Sequence, residues 1–286
     1  SKRYALEFIG APVIMLPMVN EVGLMLEDDN TPQPTPLRFA VQRLVDLTLD
    51  DGQWIPVPGG RVWRCEVAGM GSLNARLHLS GVKLGAGEQI FMDAPDQDRG
   101  TVGPIEGTGA FGNGEAWGIF TPGPSTRLEW FVPEGTEVTA LPFESVEYSQ
   151  GYRDVFQLMA PPAAQCYWDP SCYATWLNQS NAAGRMTFTS AGSSYLCSGQ
   201  LVATNAADET PYFATANHCI STQTEAASLV VDFFYRANTC GGATGTSVAV
   251  SAADLVKTYA TSDCTLLMLK GALPASVYWV GWMTTN

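Results

Sequence analysis

Between Leu37 and about Tyr148, apolar and polar residues alternate with period two, as expected of half-buried antiparallel strands. In "RVWRCEV" the side chains of Trp63, Cys65 and Val67 fall on one face; in "LNARLHL" Leu73, Ala75, Leu77 and Leu79 do the same, as do Leu128, Trp130 and Val132 in "RLEWFV". Gly and Pro clusters such as "VPGG", "GAGE" and "TPGP" cut the pattern into short strands joined by turns. Residues 37–150 therefore predict a β-sandwich of jelly-roll type. His78 is expected on the outer, solvated face with Asn74 and Arg76, and Cys65 in the core as a small apolar residue. Before this region, residues 1–36 read as a leader with one short helix, ending in the Pro-rich "TPQPTP". After it, residues 151–165 read as a linker with a Pro-Pro stop. In residues 166–286 the short β-rich runs "SSYLCSGQLVAT", "PYFATA", "SLVVDFFYR" and "DCTLLMLK" have the pattern of a small closed barrel. The fold class expected is mainly β, with no internal repeat and no sustained helical period.

Composition sharpens the division. Residues 1–160 carry 21 acidic and 11 basic side chains and one cysteine, whereas the remainder carries 7 acids, 4 bases and six cysteines. The net charge of -13 has the wrong sign for a phosphate-binding surface, so nucleic acid is not expected as a partner. The longest apolar run near the start, Ala11 to Val19, falls short of the roughly 20 residues a membrane-spanning helix needs, so no membrane span is expected. Seven cysteines with little lysine suit an oxidising compartment, and the opening on Ser1 rather than Met reads as a processed or an artificial end, which leaves secretion open.

The chain has two histidines, and one of them, His218, lies in "FATANHCIST" at the end of an apolar run. A metal site would need further ligands at C-x(2–4)-C or H-x(3–5)-H spacing, and no such pair exists, so no metal or other cofactor is expected. A nucleophile-base system needs an imidazole, a buried carboxylate that holds its tautomer, and a hydroxyl to activate. The bland alternatives are a hydrogen-bonded core histidine at His218 and a solvated turn residue at Asp263.

The blocks "CSGQLV" (197–202), "FATANHC" (213–219) and "SDCTLLML" (262–269) resemble, in order and spacing, the signature blocks of the first barrel of trypsin-like serine proteases. The resemblance narrows toward bacterial lysyl endopeptidases through "QCYWDPSC", with its two cysteines six residues apart, and through the Ala-Asn-His-Cys run of residues 216–219. Upstream, "GQWIPVPGGRVWRCEV", "GSLNARLHL" and "LEWFVPEG" resemble the accessory region of such secreted precursors. This resemblance implies that His218 is the catalytic base and Asp263 its orienting carboxylate, with Asp232 and Asp254 poorer candidates. It implies disulfides Cys197–Cys219 and Cys172–Cys240. Cys166 would pair with the family's second barrel, and Cys264 and Cys65 would be buried thiols. It also implies a protein or peptide substrate, lysine-directed, and a secreted or cell-surface bacterial location.

One departure stands out: no Gly-x-Ser-Gly-Gly motif occurs in these 286 residues. The expectation is a serine endopeptidase precursor or fragment whose serine half, the missing C-terminal barrel, is supplied in cis or as a second chain, so that this chain alone is inactive. The alternative is a non-catalytic, protease-like binding or adhesion module at the cell surface. The N-terminal sandwich would be an inhibitor, a folding helper or a binding module. The sequon at 178–180 carries no weight, and "CGGATG" at 240–245 lacks the Lys and helix of a phosphate-binding loop.

Overall fold

A computed structural model describes residues 10–32, 35–94, 101–156, 169–206, 208–243 and 245–283. The chain forms two compact units, Ser1–Glu21 with Ala40–Asp154, and Val22–Phe39 with Val155–Asn286.

In the first unit, β1 (Val13–Leu16) pairs in parallel with β4 (Gly60–Gly69), which also carries β3 (Gln53–Val57). The sheet continues through β10 (Ser125–Pro133), β6 (Gln89–Asp93) and β7 (Val102–Ile105). A second group is built on β2 (Leu37–Val45), β11 (Ser145–Gly151) and β5 (Asn74–Ser80), with the two-residue strands β8 (Ala116–Trp117) and β9 (Thr121–Pro122) along β5.

The alternation read from the sequence sets the register. Trp63 lies opposite Trp130, and Cys65 opposite Leu128. Both pairs join Leu77, Leu79, Val146 and Tyr148 of the other sheet in one buried core. Trp63 can be fully buried because its indole N–H donates to the Leu49 carbonyl at 2.9 Å, which satisfies the single polar atom of the ring.

The outer face of β5 is not solvated, which corrects the expectation for His78. Asn74 and Arg76 are fully buried and His78 is 8% exposed, because β8, β9 and Phe120 cover them. The Arg76 guanidinium lies 4.6 Å from the Trp117 ring, and the His78 imidazole stacks on that ring at 3.5 Å. His78 Nδ1 is 2.9 Å from Glu147, and Nε2 contacts Glu115. The polar pattern is real, but its partners come from other segments rather than water: carboxylates for His78, the Arg153 carbonyl for Asn74 and aromatic rings for Arg76.

In the second unit the helix α1 (Glu21–Asp29) is held by Arg38, whose Nε donates to Asp28 at 2.6 Å and whose Nη2 donates to the Leu24 carbonyl in the first half of the helix. The helix α2 (Leu177–Ser180) leads into β12 (Ala183–Ser190), β13 (Ser193–Leu201) and β14 (Tyr212–Thr215). After α3 (Gln223–Ser228), capped by Thr222 and Glu225, come β15 (Val230–Phe233), β16 (Val248–Ser251), β17 (Ala253–Tyr259) and β18 (Cys264–Leu269). Among the described residues the sheet of this unit runs β16-β15-β12-β13-β14-β18-β17. Its end strands β16 and β17 are consecutive in the chain, so it curls like a barrel around Phe188, Phe213, Phe233 and Leu267.

Two sequence features fix this curl. The β12–β13 turn places Ala191 (φ 46) and Gly192 (φ 75) in the left-handed region, as a two-residue hairpin demands. Gly199 of "CSGQLV" faces the Phe213 ring, and a Cβ there would lie 2.2 Å from it. Val155 is buried in this unit, with its carbonyl accepting from Tyr235 at 3.1 Å. Most of the linker expected at 151–165 lies outside the described residues, as does Cys166.

Candidate active site

Strand pairing creates the site. β14 and β18 are antiparallel neighbours, with Thr215 opposite Thr265, so the residues that follow one strand and precede the other emerge at the same end of the sheet. His218 and Asp263, 45 positions apart in sequence, meet there.

On the β14 side the chain turns tightly, with the amides of Cys219 and Ile220 both bonding to the Ala216 carbonyl at 3.2 Å. The turn buries Cys219 and Ile220 and leaves His218 outside. Cys219 is bonded to Cys197 on β13, which ties the turn to the sheet. The second disulfide, Cys172–Cys240, joins the start of the described C-terminal region to the loop before β16. Both bridges are those implied by the resemblance.

On the β18 side, residues 260–263 form a turn in which the Asp263 amide bonds to the Ala260 carbonyl at 3.2 Å. Asp263 has φ 46, a left-handed conformation that aspartate tolerates better than most residues. Its Oδ1 accepts the His218 backbone N–H at 2.9 Å, while Oδ2 lies 2.7 Å from the imidazole Nδ1. These bonds, the backbone one first, hold the Asp263 carboxyl below the usual aspartate range. An ionised carboxylate only accepts, so Nδ1 carries the proton and Nε2 presents its lone pair. Nε2 has no hydrogen-bond partner among the described residues, and the side chain is about one-third exposed at 34%. The geometry is that of a base with a fixed tautomer and an open face.

The other aspartates considered are engaged by cations. Buried Asp232 pairs with Arg185 at 2.7 Å, and Asp254 with Lys270 at 2.9 Å. The sulfur atoms of Cys197 and Cys219 and a ring nitrogen of His218 lie within 4.8 Å of one another, a spacing a metal could use. The sulfurs are bonded to each other, however, and offer no thiolates.

Two expectations change, and the first is Asp263, whose side chain is about half exposed at 48% rather than buried. Cys264 is exposed, not buried, because β18 directs Thr265, Leu267 and Leu269 inward and Cys264 outward. Sequence reading also passes over Asn217, Thr258 and Thr265, which hydrogen-bond in series beneath His218.

Residues 161–286 match the family model described as lysyl endopeptidase, C-terminal domain. The chain is also 29% identical over 292 aligned residues to the lysyl endopeptidase of Pseudomonas aeruginosa, an alignment covering 89% of this chain. It spans 60% of the length of that relative. With its β-rich architecture and the blocks around His218 and Asp263, the chain is similar to lysyl endopeptidases, and its residues 161–286 to their C-terminal domain.

Proposed function

We propose that this chain carries the base and orienting carboxylate of a secreted serine endopeptidase, with His218 and Asp263 in those roles. The observation that supports this most directly is the Asp263–His218 Nδ1 contact at 2.7 Å, which leaves Nε2 as an open base. In the reaction His218 Nε2 takes the proton of a serine hydroxyl as it attacks the peptide carbonyl, then returns it to the leaving amine. Asp263 holds the ring and offsets the charge of the imidazolium. The attacking serine is proposed to lie outside these 286 residues, since no Gly-x-Ser-Gly-Gly motif occurs in them. Lysine direction is carried over from the relative's name and from the family model. The two disulfides fit an extracellular setting, and the acidic N-terminal unit is read as the accessory region of a precursor, parting from the protease in residues 151–165.

The test pairs this chain with the complete protease. A fluorophosphonate probe should label a serine only in the complete protease, and His218→Ala should abolish that labelling. Asp263→Asn should lower turnover by about 10⁴-fold with the fold intact, the effect of the wrong tautomer in a triad protease. His218-dependent labelling of a serine within residues 1–286 would sink the assignment.

A further inference from the structure

Below His218 runs a chain of polar hydrogen bonds whose direction can be assigned atom by atom. The Thr265 hydroxyl lies 2.7 Å from the Ile220 carbonyl, an acceptor only, so its proton points there. Its oxygen lies 2.5 Å from that of Thr258, and it must therefore accept the Thr258 proton. Thr258 in turn accepts from the Asn217 side-chain amide at 2.7 Å. The sequence is Asn217 N–H to Thr258 O–H to Thr265 O–H to Ile220 C=O, with no donor or acceptor left ambiguous.

This chain begins on the residue before His218 and ends two residues after it. Thr258 and Thr265 are directly opposite each other on β17 and β18, the two strands joined by the turn that carries Asp263. Both ends of the segment 217–220 are thus fastened to the hairpin that also supplies the carboxylate. Thr265 is fully buried and Thr258 and Asn217 half-buried, so the inner end of the chain is shielded from competing water. The Asn217 backbone amide also helps to hold the Asp263 carboxyl down, which places this residue on both sides of the arrangement.

We infer that Asn217, Thr258 and Thr265 are positioning residues that set the distance and angle between His218 Nδ1 and Asp263. None of their side chains reaches the open Nε2, so they act through the two site residues rather than on substrate. The inference rests on the roles proposed for His218 and Asp263, but its test reads geometry and not activity.

The experiment is proton–nitrogen NMR of the imidazole rings in this 286-residue chain. There are two histidines to assign, and His78, in the other unit, serves as an internal reference. In the unsubstituted chain the His218 Nδ1–H should appear as a far-downfield resonance, as expected of a proton shared with a carboxylate. Thr258→Val and Asn217→Ala should shift that resonance upfield or broaden it away while the His78 signals stay in place. Thr258→Ser, which keeps the hydroxyl, should restore it. Thr265→Val should act like Thr258→Val; because Thr265 is fully buried and this variant can fail to fold, the two half-buried positions decide the outcome. An unchanged His218 resonance in Thr258→Val and Asn217→Ala would overturn the inference. So would a change that also moves His78, since that reports general loosening. A catalytic role for His218 stands or falls separately, on the labelling experiment.

Discussion

Replacing Asp93 by Asn should stabilise the protein at neutral and alkaline pH. Asp93 ends β6 opposite Arg127 of β10, on the face of the sheet turned away from Trp63 and Trp130. Arg64, Glu66 and Glu129 occupy the same face, and Asp93 is only 5% exposed. Its Oδ1 has no hydrogen-bond partner among the described residues. Burial, reinforced by Glu129, outweighs the opposing pull of Arg127 and pushes the carboxyl from 3.8 up to about 6. A raised carboxylate pKa means that, between those values, the folded chain keeps a proton the unfolded chain has released. Stability therefore falls as pH rises through this window, and the loss is complete above the folded pKa. At about 1.36 kcal/mol per pH unit, a window of this width is worth roughly 3 kcal/mol. Asn reproduces the protonated form in nearly the same volume, so the variant should lose the dip. In urea titrations followed by tryptophan fluorescence, the N-terminal unit of Asp93→Asn should gain up to about 3 kcal/mol near pH 8 and nothing near pH 4. A variant less stable than the parent near pH 8 would refute the reasoning, by showing that the Arg127 contact outweighs burial.

Two further outcomes test other parts of the structure. In the folded chain, iodoacetamide should modify exposed Cys264 and leave Cys65 untouched until denaturation, as peptide mass spectrometry would show, because burial pushes the Cys65 thiol up to about 12. Gly199→Ala should lower the melting temperature of the C-terminal unit, costing about 1–3 kcal/mol, since the added methyl would meet the Phe213 ring at 2.2 Å; an unchanged melting curve would show that the ring can move aside.

The parts of this fold that were legible in the sequence are those where one property alternates. Trp63, Cys65 and Val67 alternate with Arg64 and Glu66, so period two announces both the strand and its core face. At β18 the pattern is silent: "CTLLML" is apolar on both faces, and only pairing with β14 and β17 shows that Thr265 goes inward and Cys264 outward. For β5 the pattern is legible but its meaning is not. Asn74, Arg76 and His78 form a polar face, yet Glu147 lies opposite His78 on β11 and Glu115 just before β8, and no local signal at residues 74–78 names them. The candidate site divides the same way. His218 and Asp263 stand out because their flanking blocks have a fixed order and spacing, whereas the residues inferred to set their geometry are two threonines and an asparagine among many. What distinguishes Thr258 and Thr265 is the cross-strand register: a shift of one residue in the β17–β18 pairing would carry the Thr258 hydroxyl to the opposite face, away from both Asn217 and Thr265. The bulge between Leu255 and Lys257 sets that register, so the geometry at His218 depends on an irregularity in β17 just ahead of Thr258 that no motif announces.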